Sequence, residues 1–257
     1  MKPARPRRYE AVADAPLEFP SLELQKPFHF DRDLARRLIL REINPKEAFS
    51  VRDSAGAFFR ASVKELSSDG GLAVPYEKFA VSPESALEIT LACAVLARQR
   101  MLFVVQKATE LGVSRIVPLL TEHSVPIGGL DHEKAHAWPG QIIRAAKQCR
   151  RSSLPEIHSP MSLDSFLSSS VAAQSDLRVC LDDIGGHVPV VGLPLKRIIL
   201  FVGPEGGFSD RERKSLKEKA LSWGLGGRIL RAETAVLVGL SAVQLLWGDF
   251  KESSLLF

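Results

Sequence analysis

The sequence contains few cysteines, and their placement excludes several classes of protein. The three cysteines, Cys93, Cys149 and Cys180, lie far apart and include no CxxC pair. An odd number of widely spaced cysteines argues against a disulfide framework. No grouping of histidines, cysteines and carboxylates has the spacing of a metal site either. We therefore expect a reduced protein that binds no metal.

Aromatic residues and long apolar runs are also scarce. Aromatic residues make up 7% of the chain and are scattered, so no row of stacking rings indicates single-strand binding. The longest apolar run, 235–247, is shorter than the about 18 residues needed to span a bilayer and is interrupted by Ser241 and Gln244. The basic start of the chain is not followed by the apolar segment of a signal peptide. We expect a cytoplasmic protein that does not enter a membrane.

The charge of the chain leaves its partner open. Lys plus Arg number 34 and Asp plus Glu number 30, a net charge of +4, and 45% of the 257 residues are hydrophobic. This composition predicts a globular protein with a substantial core. The charge is compatible with a polyanionic partner, but taken alone it favours an ordinary soluble enzyme with a slightly basic surface, so the distribution of basic residues must decide.

The pattern of apolar residues changes near residue 80, which predicts two domains, 1–80 and 81–257. In the first part, a short helix at 31–42 precedes strand-like runs separated by turn signals. The strand-like runs lie at 48–53, at 57–66 and from Leu72 onward. This arrangement is typical of a small β-barrel or sandwich.

The second part alternates strand-like and helix-like segments, which is typical of a mostly parallel sheet with helices on both faces. The predicted strands are 87–96, 115–120, 177–182, 196–202 and 227–230. The predicted helices are 100–111, 139–151, 209–221 and 234–247. Gly112 is placed to end the first of these helices in the left-handed conformation. Residues 198–202 are all Ile, Leu, Phe or Val, which predicts a central strand.

One predicted strand leads directly into a loop rich in glycine and then into a helix. The loop reads GPEGG at 203–207, and Ser209 with Glu212 forms a capping box that sets the helix start. Open α/β sheets bind ligands at the carboxyl ends of their strands, and glycines allow the backbone to approach a ligand closely. The loop has neither a GxGxxG nor a Walker pattern, which disfavours a nucleotide phosphate. Taken alone, it is equally compatible with a plain turn.

A second polar turn, at 225–235, carries Arg231, Glu233 and Thr234 before an apolar helix. Thr234 is the expected N-cap, and the helix dipole would stabilise the carboxylate of Glu233. Taken alone, this segment is also compatible with simple capping and a surface ion pair between Arg231 and Glu233.

Four segments together resemble the RsmE family, the small-subunit ribosomal RNA uridine-N3 methyltransferases of the SPOUT class. They read GPEGG at 203–207, LRAETA at 230–235, QKATELGV at 106–113, and AAKQCR at 145–150 followed by LPEI at 154–157. The segments run in the family's order and cover most of residues 100–250. Their combination is far more specific than any one of them.

The resemblance implies methylation of N3 of a uridine in 16S ribosomal RNA or the small ribosomal subunit, with S-adenosylmethionine as the methyl donor. It also implies a PUA-like RNA-binding barrel at 1–80, a SPOUT α/β domain at 81–257 with a deep trefoil knot, and a homodimer. Connectivity rules alone make a knot improbable. The implied cofactor contacts are Leu200, Val202, Gly203, Pro204, Glu205, Gly206, Gly207, Leu225, Gly226, Leu230, Thr234 and Ala235.

Basic residues on the predicted helix at 139–151 form a stripe. Spacings of three, four and seven place Arg144, Lys147, Gln148 and Arg151 on one face. A solvated helix face is the alternative interpretation. With the family resemblance, we interpret the stripe as an RNA contact, together with Arg8 and Arg150.

The chain departs from the family pattern in two places near this stripe. The family usually has an acidic residue where this chain has Lys147. The sequence Trp138-Pro139-Gly140 suggests an interruption in a helix that is usually continuous in the family. Both departures concern RNA docking rather than the cofactor loops.

The implied reaction requires a base that is accessible at N3 and has lost its proton. N3 lies on the Watson–Crick edge, so the base must be unpaired or turned out of its stack. We expect Arg231 to stabilise the uracil anion and Glu233 to act as general base or to orient the other groups. Glu205 could take the role of base instead. His123 and His158 lie outside both loops, and we expect structural or surface roles for them.

Two other functions stay open from the sequence. One is another SPOUT RNA methyltransferase, such as a transfer RNA ribose 2′-O-methyltransferase. The other is a non-catalytic RNA-binding factor in ribosome assembly, which would keep the fold and lose methyl transfer.

Overall fold

The computed structural model describes residues 14–182 and 195–251, which form two compact units. The smaller unit consists of the described residues of Ala13–Glu84 together with Ile143–Leu154. The larger unit consists of Ser85–Ile142 and the described residues from Pro155 onward. Arg8, an expected RNA contact, lies outside the described residues.

A mostly antiparallel sheet forms the centre of the smaller unit. Its five described strands are β1 (Glu18–Phe19), β2 (Phe28–Phe30), β3 (Ala48–Asp53), β4 (Phe58–Ser67) and β5 (Gly70–Lys78), in the order β1-β3-β4-β5-β2. Among these described strands, only β1 and β3 pair in parallel. The sequence prediction for β3 is confirmed residue for residue.

Helix α1 (Arg32–Leu40) packs against this sheet through one apolar face. The carboxylate of Asp31 accepts a hydrogen bond from the N–H of Leu34 at 3.0 Å, which caps the helix. Leu34, Ala35 and Leu38 are buried in a core that also contains the phenylalanines of the strands. The predicted helix at 31–42 is therefore confirmed, although it begins one residue later and ends two residues earlier.

A parallel sheet forms the centre of the larger unit. Its described strands are β6 (Glu88–Ala94), β7 (Arg115–Leu120), β8 (Glu156–Ile157), β9 (Met161–Ser162), β10 (Leu177–Leu181), β11 (Arg197–Val202) and β12 (Leu221–Trp223). The order is β12-β10-β11-β6-β7-β8, with β9 also paired to β7, and all these pairs are parallel. The predicted α/β class with a parallel sheet is confirmed.

Helices connect these strands. They are α2 (Arg98–Glu110), α3 (Trp138–Gln148), α4 (Leu163–Leu167), α5 (Ser170–Ala173), α6 (Asp210–Lys219) and α7 (Ala232–Trp247). Gly112 follows α2 with a φ of +79°, as predicted for a left-handed helix end. Strand β11 lies between β10 and β6, and its residues 198–202 are at most 3% exposed, which confirms it as a central strand.

The last predicted strand, 227–230, is wrong. The sheet edge is formed instead by β12, which pairs with β10 from Leu221 opposite Val179 to Trp223 opposite Leu181. Residues 224–230 have no regular structure. Because β12 has three residues, it is too short for an alternating pattern to stand out in the sequence.

The helix predicted at 139–151 also needs correction at both ends. It ends at Gln148, because Arg150 adopts a left-handed backbone with a φ of +66°, and Arg151 therefore does not belong to the helical face. The expected interruption at 138–140 is wrong, since Trp138 and Pro139 lie in the first turn of α3. Proline is tolerated there because the first N–H groups of a helix have no partner within it.

Candidate functional site

The two glycine-bearing loops line one cavity at the carboxyl ends of β10 and β11. Its volume is about 290 Å³, at the lower limit of the roughly 300–1,000 Å³ typical of small-molecule sites. Most of the expected cofactor residues line it: Val202, Gly203, Pro204, Glu205, Gly206, Gly207, Leu225, Gly226, Leu230 and Ala235. Leu200 is fully buried in the sheet and Thr234 is exposed on α7, and neither lines the cavity.

The GPEGG loop makes a tight turn over the end of β11. The N–H of Gly207 donates to the carbonyl of Pro204 at 2.9 Å, and the φ of Gly207 is +71°, a conformation that favours glycine. At Gly203, an added Cβ would approach the ring of Phe208 to 3.1 Å. The left-handed backbone therefore explains the glycine at 207, and the close approach of the Phe208 ring explains the glycine at 203.

Side chains from other elements hold the middle of this loop. Arg100, in the first turn of α2, forms an ion pair with the carboxylate of Glu205. The Nδ1 atom of His123, in the turn after β7, lies 3.1 Å from the carbonyl oxygen of Gly206 and 3.0 Å from that of Gly207. The loop is thus held from two segments far away in the sequence.

Helix α6 holds the end of the loop. Arg213 donates from Nε to the carbonyl of Phe208 at 3.0 Å, and its Nη1 lies 3.4 Å from the carboxylate of Asp182 at the end of β10. The buried carboxylate of Glu212 accepts a hydrogen bond from the N–H of Ser209 at 2.9 Å. The predicted capping box is therefore confirmed, and it places α6 against the cavity.

The second loop, 224–230, forms the opposite wall. Ile229 lines the cavity although it is 88% exposed, so it lies at the mouth. Helix α7 begins at Ala232 with Arg231 as its N-cap. The expected N-cap, Thr234, is wrong, since it lies inside the first turn.

The expected catalytic residues lie beside the cavity and do not line it. Arg231 is exposed, and its neighbours Leu230 and Ala232 both line the cavity. Glu233 follows in the first turn of α7, and within the described ranges its Oε2 is buried without a hydrogen-bond partner. Ala232 and Ala235 face the cavity, so the 100° step of an α-helix turns Glu233 away from it.

The sequence analysis missed two walls of the cavity. They consist of Cys180, Leu181 and Asp182 at the end of β10, and of Arg213, Leu216 and Lys217 on one face of α6 with Ala220 directly after the helix. The rule that ligands bind at strand ends could have found the first group, because 177–182 was predicted as a strand. Spacings of three and four could have grouped the second.

The lining combines apolar walls with charges of both signs. The wall residues Val202, Leu225 and Leu230 are apolar, whereas Asp182 and Lys217 are charged. Burial raises the pKa of the Cys180 thiol to about 12, so this thiol stays protonated and is a poor nucleophile. The cavity suits a ligand that has both an apolar part and charged groups.

Several of the expected RNA contacts form ion pairs within the smaller unit. The pairs are Lys147 with Glu47 at 2.6 Å, Arg150 with Glu77 at 3.1 Å, and Arg151 with Glu84 at 3.0 Å. The hydrogen bond from Lys147 holds the pKa of Glu47 below its ordinary value. Arg144 and Gln148 are exposed on α3. The RNA contacts stay a prediction, and three of the cations already stabilise the fold.

Within 14–182 and 195–251, no helix has the length and apolar character needed to cross a bilayer. The same residues contain no group of three or more His, Cys, Asp or Glu side chains placed to hold a metal ion.

Comparison with known proteins gives consistent matches over this region. The family model for the RNA methyltransferase domain matches residues 83–244. The ribosomal RNA small subunit methyltransferase E of Buchnera aphidicola is 27% identical over 237 residues, which cover 87% of this chain and 90% of that protein. The protein of the same name from Bacillus subtilis is 31% identical over 186 residues, which cover 65% and 70%.

One solved structure is similar over nearly the whole chain. It is the crystal structure of a ribosomal RNA small subunit methyltransferase E from Neisseria gonorrhoeae bound to S-adenosyl methionine. It is 27% identical, has a TM-score of 0.64, and the match covers 91% of this chain and 99% of that one.

Proposed function

The chain belongs to the RNA methyltransferase family and, within it, to the RsmE family, and on this premise we propose that it methylates N3 of a uridine in 16S ribosomal RNA. Family membership confirms the resemblance drawn from the four sequence segments. The observation that carries the proposal is the single cavity lined by both glycine-bearing loops. If these loops lay apart, there would be no common site for a methyl donor.

The cofactor is S-adenosylmethionine, which supplies an electrophilic methyl group on a sulfonium. The residues of the cavity fit this molecule. Its apolar walls suit an adenine, and charges of both signs at Asp182 and Lys217 suit the amino-acid part. The glycines at 203 and 207 remove the side chains that would otherwise fill the loop.

Arg231 is the residue that we propose to stabilise the reacting uracil. The N3 atom must lose its proton before it can take the methyl group, which leaves negative charge on the ring. Arg231 is exposed and lies in the sequence between Leu230 and Ala232, both of which line the cavity. A positive charge held there favours the anion over the neutral base.

The two glutamates differ in what they can do. Glu205 lines the cavity but is ion-paired to Arg100 of α2, which favours a role in holding the loop. Glu233 carries a buried carboxylate oxygen without a partner among the described residues, on a helix face turned away from the cavity. We assign Glu233 to orienting Arg231 or to accepting the proton through water.

The rest of the architecture follows as part of the same proposal. Residues 1–80 would be a PUA-like RNA-binding barrel, and 81–257 a SPOUT domain with a deep trefoil knot. The protein would act as a homodimer in the cytoplasm, on 16S ribosomal RNA or the small ribosomal subunit. The compact smaller unit, which has its own apolar core, supports a separate N-terminal domain.

Methylation of defined RNA tests the proposal. The protein is incubated with 16S ribosomal RNA or small subunits and methyl-labelled S-adenosylmethionine, and the RNA is digested to nucleosides for mass spectrometry. We expect labelled 3-methyluridine. A 2′-O-methylated nucleoside would identify a different SPOUT methyltransferase. An absence of both cofactor binding and turnover would indicate a non-catalytic RNA-binding factor.

A pair of glycine variants provides the matched control. In Gly203→Val the new side chain meets the ring of Phe208, whereas in Gly128→Val it enters open space. We expect the first variant to lose cofactor binding and turnover and the second to keep both. Equal activity of the two variants would contradict the placement of the cofactor at this loop.

Arg231→Ala separates binding from chemistry. We expect unchanged affinity for S-adenosylmethionine and turnover lowered by about 10²-fold or more, the range for removing a donor that stabilises an anion. Arg211→Ala, on an exposed arginine of α6, serves as the control and should leave turnover unchanged. Full turnover of Arg231→Ala would reject the assigned role.

A further inference from the structure

His123 contacts the cofactor loop without lining the cavity. It lies in the turn that follows β7, and its side chain is exposed. Its Nδ1 atom is within hydrogen-bond distance of two successive carbonyl oxygens of the loop, those of Gly206 and Gly207. The sequence analysis gave this histidine only a structural or surface role.

The chemistry of the contact determines where the proton on the ring must be. Carbonyl oxygens only accept hydrogen bonds, so Nδ1 must carry a proton and share it between the two oxygens. Either the neutral ring with its proton on Nδ1 or the protonated ring satisfies this requirement. A side chain that can only accept would instead repel both carbonyls.

The ring also packs closely against the backbone of the loop. A Cβ added at Gly206 would lie 3.0 Å from the Cβ of His123 and 3.2 Å from its Cγ. The φ of Gly206 is not in the left-handed region, so the need for glycine at this position comes from the approach of His123. Gly206 and His123 therefore fit together as a pair.

Holding two carbonyls also orients the N–H groups of the loop. In a planar trans peptide, the C=O of one residue and the N–H of the next point in opposite directions. The N–H of Gly207 is already held by the carbonyl of Pro204, so the hydrogen bond to the carbonyl of Gly206 reinforces that turn. The hydrogen bond to the carbonyl of Gly207 sets the direction of the N–H of Phe208, and Phe208 lines the cavity. A contact outside the cavity therefore controls the backbone inside it.

We propose that His123 is a positioning residue that holds the GPEGG loop in the conformation that binds S-adenosylmethionine, an inference that rests on the proposed function. Arg100 and Arg213 hold the loop at Glu205 and at the carbonyl of Phe208. Removal of His123 therefore loosens only the peptides between these two points. The effect falls on cofactor affinity and leaves the chemical step of the bound complex nearly unchanged.

Three substitutions at His123 separate donation from packing. Asparagine carries an N–H donor at the same number of bonds from the backbone as Nδ1, whereas aspartate has the same shape and only accepts. We measure the Kd for S-adenosylmethionine by calorimetry for His123→Ala, His123→Asn and His123→Asp. His132→Ala, which removes a histidine with a 90% exposed side chain, is the control.

We expect the affinity of the His123 variants for S-adenosylmethionine to follow their ability to donate a hydrogen bond. His123→Ala should bind about three- to tenfold more weakly than the wild type, the range for one net hydrogen bond. The Kd of His123→Asn should stay within about twofold of the wild-type value, and His123→Asp should bind S-adenosylmethionine more weakly than His123→Ala does. In turnover assays, the KM for S-adenosylmethionine should rise in parallel while kcat changes little.

Two results would overturn the inference by itself. Wild-type affinity in His123→Ala would show that the loop does not need the contact, and equal affinity of the Asn and Asp variants would show that donation does not matter. A wild-type protein that binds no S-adenosylmethionine would instead refute the proposed function, so the two failures are distinguishable. Thermal unfolding of each variant checks that it is folded.

Discussion

Replacing Glu84 with alanine should strongly destabilise the smaller unit. The carboxylate of Glu84 accepts hydrogen bonds from Nε and Nη2 of Arg151 at 3.1 and 3.0 Å. It also accepts from the N–H groups of Ser152 at 2.7 Å and Ser153 at 2.8 Å, and from the Ser153 hydroxyl at 2.5 Å. The side chains of Arg151 and Glu84 are 5% and 15% exposed.

The magnitude follows from what the substitution leaves behind. Glu84→Ala leaves a buried guanidinium without this carboxylate, which costs about 3–5 kcal/mol for a buried ion pair that loses one partner. The two N–H groups that also lose their acceptor would each add about 1–3 kcal/mol if they stayed dry. Because water can reach a site that is 15% exposed, the effects overlap, and we expect about 3–5 kcal/mol in total.

Urea unfolding followed by circular dichroism measures this loss, and amide hydrogen exchange at Ser152 and Ser153 localises it. Glu65→Ala, on an exposed glutamate of β4, should stay within about 0.5 kcal/mol of the wild type. Adding Arg151→Met to Glu84→Ala removes the stranded charge and should recover part of the stability. A loss below about 1 kcal/mol, or a double variant less stable than Glu84→Ala, would refute the reasoning.

Three further predictions concern packing, reactivity and pH. In Gly239→Ala, the added Cβ would lie 2.6 Å from a methyl carbon of Leu181. The side chain of Leu181 can move away, and because it lines the cavity, this movement changes the shape of the cavity. Calorimetry should therefore show weaker cofactor binding, with little change in the unfolding midpoint. With its pKa raised to about 12, the Cys180 thiol should react with iodoacetamide at pH 8 about 10³-fold more slowly than in the denatured chain. The pKa of Glu47 is lowered by the hydrogen bond from Lys147, so this pair stabilises the protein above the ordinary glutamate pKa and ceases to do so as the pH falls through the lower folded value. The free energies of unfolding of the wild type and Glu47→Gln, measured in urea, should therefore differ by less than about 1 kcal/mol at pH 7 and converge as the pH falls below the lowered pKa of Glu47.

Local sequence patterns were sufficient for most elements of the sheets. Strands β3 and β7 match their predicted bounds, and the apolar residues 198–202 form the central strand. These elements are encoded by runs of neighbouring residues with a clear period or a clear break. The GPEGG loop could be found for the same reason, since glycines directly after a strand indicate a ligand site. The second loop was found through the family resemblance, because the strand predicted beside it, 227–230, does not form.

The end of α3 and the state of its basic residues could not be predicted in this way. Arg150 takes a left-handed conformation where its carbonyl accepts a hydrogen bond from the hydroxyl of Ser50 at 2.6 Å, a hundred residues earlier in the chain. The predicted RNA-binding stripe contains cations that pair with carboxylates from distant strands and turns, including Glu84. No window of the sequence contains both members of such a pair.

The sequence alone determined the fold class, the family and the two loops, because each depends on residues that are neighbours along the chain. The tertiary structure decided which side chains complete the cavity and which basic side chains of α3 and the turn after it are held in ion pairs. It also explains the glycine at position 206, since only folding brings His123 against the backbone of Gly206. Contacts between residues far apart in the chain carry no local periodicity, so they become visible only when the packed structure is known.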